Sequence, residues 1–142
     1  MSLDIPLKQE MTETLPGFLQ ELDLLVIEDL YLPKSFGNSY VTLQSPKFFV
    51  RFVRDRGQVW AEVAPVTAPA SWWPLGFVVE AMQGHQPEYK FELSDAAHML
   101  KENFRELANA LGPRLPETRR EMERHGAERL KAMIGPGKTD GS

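Results

Sequence analysis

Phe48-Phe49-Val50-Arg51-Phe52-Val53-Arg54-Asp55-Arg56-Gly57-Gln58-Val59-Trp60-Ala61-Glu62-Val63 holds two runs of β-branched and aromatic residues joined through Asp55-Arg56-Gly57. Such side chains suit a pleated surface, and Gly57 can adopt the positive φ of a tight turn. The stretch predicts an antiparallel hairpin. Within its first run Val50 and Phe52 share one face while Phe49, Arg51 and Val53 share the other, because side chains alternate along a strand. Neither face is purely polar, so helices are expected on one side of the sheet and partial shielding on the other.

Two further runs precede the hairpin. Leu24 to Leu32 is rich in branched and aromatic residues and ends at Pro33. Tyr40-Val41-Thr42-Leu43-Gln44 follows the loop Ser35-Phe36-Gly37-Asn38-Ser39 and stops before Ser45-Pro46. Four strands punctuated by turn chemistry predict a meander.

Helices flank it. Leu7, Met11, Leu15, Phe18, Leu19 and Leu22 recur at helical spacing. Pro16 interrupts them, which predicts a kink or a fresh helix with Pro16 in its first turn and Thr14 as cap. Pro74 suits the first turn of a short helix carrying Leu75, Val78, Val79 and Met82 and stopped by Gly84. Ser94 is the expected cap of the strongest helix, whose apolar stripe runs Ala97, Leu100, Phe104, Leu107, Ala108 and Leu111 up to Gly112-Pro113. Residues 114–134 predict a more polar helix, with Leu115, Met122, Leu130, Met133 and Ile134 as sparse apolar positions and Gly126 in its middle. Such a helix is either held loosely on the domain or supported by a second chain. The fold class is therefore α+β: a four-stranded antiparallel β-meander flanked by an N-terminal helix and C-terminal helices. Residues 1–134 read as one domain and 135–142 as a flexible tail.

Composition narrows the function. The 142 residues contain no cysteine, which removes disulfides, thiolate nucleophiles and cysteine-based zinc sites. No apolar run approaches a membrane span, and the N-terminal residues lack the pattern of a secretory signal, so the expectation is a cytoplasmic protein. Charge is unevenly placed. Residues 1–29 carry seven acids against Lys8, residues 30–112 balance at eight of each sign, and residues 113–142 carry seven bases against five acids. With a pI near 5.4 and its basic excess confined to one end, the chain does not read as a nucleic-acid binder.

Candidate chemistry fails on spacing. Gly137-Lys138-Thr139 lacks the first glycine of a phosphate loop, where Ala132 stands, and follows a helix instead of a strand. His85, His98 and His125 form no metal-binding pair, and His98 with Glu102 would make only an open site. Ser94, Asp95 and His98 crowd one helical turn, where no catalytic triad can converge. No catalytic residue, metal site or cofactor is expected.

Three features remain as an interaction surface. Glu21, Asp23, Glu28 and Asp29 form an acidic edge able to steer a basic partner. Trp72-Trp73-Pro74 leaves one ring hard to bury, since consecutive residues cannot both face inward in a regular element. Arg51, Arg54 and Arg56 gather around the hairpin turn, able to bind an anion or stack on a ring, or simply to protect the hairpin tip.

Phe36 to Leu43, Arg51 to Val59 and Trp72-Trp73-Pro74-Leu75 resemble a group of small bacterial proteins. The chain also looks like the immunity proteins that neutralise polymorphic toxins in its general build: small, acidic and α+β. The matching segments lie within residues 36–75, a stretch of about a third of the chain. That resemblance implies a bacterial source and a non-enzymatic role. The expected function is a protein–protein interaction module whose partner is a toxin or a second copy of the chain, with no nucleic acid and no membrane involved. The alternative is a small-molecule or anion-binding module, or an enzyme, built on Arg51, Arg54 and the tryptophans.

Overall fold

Arg56 and Gly57 carry φ values of 53° and 84°, so the hairpin closes on a two-residue turn with both central residues left-handed. That geometry matches the right-handed twist of the strands it joins. Arg54↔Val59 and Phe52↔Ala61 pair across it as the alternation requires.

The computed structural model describes residues 5–134. In chain order the elements are α1 (Leu7–Thr14), α2 (Phe18–Glu21), β1 (Leu25–Leu32), β2 (Asn38–Gln44), β3 (Phe48–Asp55), β4 (Gln58–Pro65), β5 (Trp73–Pro74), α3 (Leu75–Gln83), α4 (Leu93–Glu102), α5 (Phe104–Ala110) and α6 (Leu115–Ile134). The α+β class and the antiparallel meander stand, and the sheet order is β1-β2-β3-β4-β5. It holds five strands instead of four. The addition is Trp73–Pro74, paired with Glu62 and Val63 of β4. Two residues leave no periodic signature, so only the returning chain reveals this strand.

One face of the sheet is the core. Phe48, Val50, Phe52 and Arg54 of β3 are buried in alternation with half-exposed Phe49, Arg51 and Val53. Val41, Leu43, Val59, Ala61 and Val63 join the inward set, where they meet Leu7, Met11, Phe18, Leu75, Val78, Leu100, Leu107 and Leu111 from the helices. Phe18 meets Phe52 edge-on, and Phe48 packs against Phe104 with the rings tilted. Each of these side chains contributes about 1.5–3 kcal/mol by leaving water.

The helices differ from expectation in four places. Pro16 does break the first helical run, but neither Pro16 nor Thr14 starts the next; Gly17, with φ 81°, stands before α2. The helix expected over 94–111 is two helices, interrupted at Asn103. There Asn103 Nδ2 donates to the Met99 carbonyl while its Oδ1 accepts from Gln83, so the side chain competes for the helix's own carbonyl. Ser94 is not the cap. α4 begins at Leu93, Ser94 is exposed, and Asp95 instead accepts the Lys90 N–H. Finally, α6 packs on its own domain. Leu115 and Thr118 are buried, and Glu80 of α3 holds Arg129 and, at 3.6 Å, His125. Arg129 also lies over Phe77, and Arg119 over Trp73. Polar anchors thus do what the sparse apolar stripe cannot. The side chains of Met133 and Ile134, and the whole of 135–142 with its Gly137-Lys138-Thr139, lie outside the described residues.

Candidate interaction surface

The hairpin-tip arginines do not form a cluster. Arg54 points inward, is 1% exposed, and spends its guanidinium on the fold. Its Nη1 donates to Glu10 Oε1 at 2.7 Å, Nη2 to the carbonyls of Ile5 and Gly37, and Nε to Gly37. The expectation of an accessible Arg54 is therefore overturned: the same alternation that exposes Arg51 and Val53 turns Arg54 into the core. Arg56, at the turn, lies over the Phe36 ring 5.2 Å away.

Arg51 is the centre of the opposite, outward face. Its guanidinium lies 4.3 Å from the Trp72 ring and 4.9 Å from Tyr40. Its Nε donates to Thr42 Oγ1, which donates in turn to Glu28 Oε1; Arg51 also faces Glu28 at 3.7 Å. Delocalised charge over aromatic faces suits arginine and would be lost with lysine. So the structure joins three of the candidate residues, Glu28, Arg51 and Trp72, into one platform. Trp73, next in the chain, turns the other way and packs on the core. The two rings part as consecutive residues must, but neither is exposed: both are half-buried.

The acidic residues are less unified. Glu21 pairs with Lys101 of α4 at 2.7 Å, with both side chains exposed. Asp23 sits in a left-handed turn at φ 55° between α2 and β1. Asp29 is exposed on β1 beside Glu28.

What the sequence reading missed is the apolar rim around this platform. Leu25 (66% exposed), Ile27 (51%), Leu30 (39%) and Leu32 (44%) all reach solvent. Leu30 stands opposite Tyr40, and Tyr40 opposite Val53, so they share the outward face with Trp60. β1 pairs with β2 on one side only, and a bulge at Val26/Glu28 displaces Ile27. Edge strands are normally blunted by charges and bulges, and this one has both. Yet it keeps four exposed aliphatic side chains. A signal existed: Leu25-Val26-Ile27 and Leu30-Tyr31-Leu32 are apolar at every position, leaving one apolar set without a core to enter.

Among the described residues no group of three or more His, Asp or Glu could hold a metal ion. Ser94 and His98 are both exposed, and His98 pairs with Glu102 at 2.8 Å. No described helix is long and apolar enough to cross a membrane. Compared with protein-family models, with curated proteins and with solved structures, the chain matches none.

Proposed function

We propose that the chain is a non-enzymatic protein-binding module that docks a partner on β1 and the outward face around Arg51. The observation that carries this reading is the row of exposed Leu25, Ile27, Leu30 and Leu32 beside the Arg51–Trp72–Tyr40 stack. Contiguous apolar surface rimmed by charge is the usual mark of a docking site, and Trp, Tyr and Arg are the residues that dominate such interfaces.

Charge favours a basic partner over a second copy. Two β1 strands meeting antiparallel about their midpoint would bring Glu28 and Asp29 of one copy against the same residues of the other. Like charges directly opposed destabilise a strand pair. A basic strand or loop meets Glu28, Asp29 and Asp23 favourably. The likeness to immunity proteins suggests a toxin as the class of partner. The small-molecule reading around Arg51 and Arg54 has weaker support, since Arg54 is internal and Arg51 already stacks on two rings.

Affinity capture with the wild-type chain and with Leu30→Lys, compared by quantitative mass spectrometry, tests the proposal. A specific protein should be retained by the wild type, lost with Leu30→Lys, and weakened by Asp29→Lys and by high salt. Identical retained sets would sink it, as would a stable dimer by light scattering that Leu30→Lys leaves intact.

A further inference from the structure

β5 covers only the far end of the β4 edge, at Glu62 and Val63. Nearer the hairpin turn the chain returns as a loop: Val59 N–H donates to the Phe91 carbonyl, and the Tyr89 hydroxyl donates to the Val59 carbonyl at 2.5 Å. Between these two closures, β4, α3 and the loop enclose a cleft of about 670 Å³. That volume lies within the range of small-molecule sites, roughly 300–1,000 Å³. This cleft adjoins the surface around Arg51, since Glu62 stands opposite Arg51 on the sheet, but it does not depend on the protein-binding reading.

Its lining has an unusual balance. Trp60, Tyr89, Phe91 and Phe77 supply four aromatic rings, and Met99 a thioether. Among the described residues no lysine, arginine or histidine lines it, and Glu62 is its one ionisable carboxyl group. Glu62 is held in place. Being two residues from Trp60 on one strand face, it accepts the indole N–H at Oε2, 3.2 Å away. It makes no ion pair among the described residues, although Arg51 is its partner across the strands; Arg51 turns to Glu28 instead. Tyr89 is fixed by its hydrogen bond and packs edge-on against Phe91 at 4.7 Å. Phe77 has Arg129 4.9 Å from its centroid, so the cage rests chiefly on Trp60, Tyr89 and Phe91.

Aromatic faces attract cations through their quadrupole, and a carboxylate without a cationic partner adds to that attraction. An anion would meet repulsion from Glu62 and no compensating charge among the lining residues. A neutral apolar molecule would gain burial but nothing from Glu62. We propose that this cleft binds a small organic ammonium ion with an apolar body, its charged head against the faces of the aromatic rings and beside the Glu62 carboxylate.

Calorimetric titration of the full chain with benzyltrimethylammonium tests the site, with phenylacetate as the anionic counterpart. Choline and 3,3-dimethylbutan-1-ol, equal in shape and different in charge, isolate the electrostatic part. The cations should bind at least about tenfold tighter than their counterparts, the scale of one desolvated cation–π contact. Glu62→Gln should weaken the ammonium ligands by a similar factor and leave the alcohol unchanged. Equal affinity for choline and its neutral analogue overturns the proposal on the wild-type protein alone. So does the absence of any ammonium binding at millimolar concentration, or a folded Glu62→Gln variant that binds cations as well as the wild type.

Discussion

Arg54 shows how one residue can be read correctly in type and wrongly in role. Its guanidinium joins Ile5 and Glu10 at the start of the chain to Gly37 in the β1–β2 loop, while Ser39 Oγ accepts the Leu7 N–H and donates to the Leu30 carbonyl. Together they clamp α1 onto the sheet. Arg54→Ala leaves the Glu10 carboxylate buried with its ion-pair partner gone, which should cost about 3–5 kcal/mol. Arg54→Lys should recover only part of that, because an ammonium cannot span the same acceptors. Urea denaturation checks both, and a loss below about 1 kcal/mol for Arg54→Ala would show the clamp to be dispensable. Tyr89 gives a pH signature. Burial, reinforced by the charge of Asp95, pushes its phenol well above the ordinary tyrosine range. The unfolded chain would release this proton near pH 10 while the folded chain keeps it. The contribution is thus fully present below about pH 10 and is lost as pH rises above it. Tyr89→Phe should flatten the fall in stability between pH 9 and 11, as read from urea midpoints across that interval. None of this was legible in the residues themselves, since inward and outward positions of a strand are chemically alike until something packs on them.

Among the elements, α6 departs furthest from what its composition suggests. A helix with so few apolar residues suggested loose packing on the domain or support from a second chain; within this chain Glu80, Arg129, His125 and Thr118 fasten it to α3 and α5. Thr118 Oγ1 donates to the Ala110 carbonyl near the end of α5. Glu80→Ala should therefore cost about 2–3 kcal/mol. It should also raise amide hydrogen exchange in α6 well before that in β3, and uniform protection would contradict the anchoring role. Gly126 has the opposite character. It lies inside α6 with nothing within 4 Å of where a Cβ would stand, so Gly126→Ala meets no obstacle. The change should stabilise the protein by about 0.5–1 kcal/mol, visible as a higher melting temperature. The break at Asn103 was equally hidden, because the apolar stripe continues through it; there the Asn103 side chain bonds the Met99 carbonyl and Gln83. The strands fared better, since turn residues such as Ser45 act locally: its hydroxyl accepts the N–H groups of Lys47 and Phe48 and donates to the Phe48 carbonyl.

For the whole molecule the decisive asymmetry is between the two faces of one sheet. The inward face carries the common core, and the outward face keeps Arg51, Trp72, Tyr40 and the β1 leucines half-exposed or exposed. If the outward face serves binding and not folding, Leu25→Lys should change stability by no more than about 0.5 kcal/mol while impairing partner capture. A large stability loss, measured by denaturation, would make Leu25 a structural residue. The sequence by itself determined the class, the order of the strands and the hairpin, because turn chemistry and side-chain alternation act between residues close along the chain. It also placed the acids before β2 on the surface, where Glu21, Asp23, Glu28 and Asp29 are exposed. Only the tertiary structure decided which side of each strand is the inside. Both faces of β3 carry apolar groups, so the choice falls to where α1 and the later helices settle, and Arg54 meets Glu10 across a separation of 44 residues. No local pattern encodes a contact of that span. The hairpin at 48–63 was readable in advance; the burial of one of its arginines and the exposure of another were not.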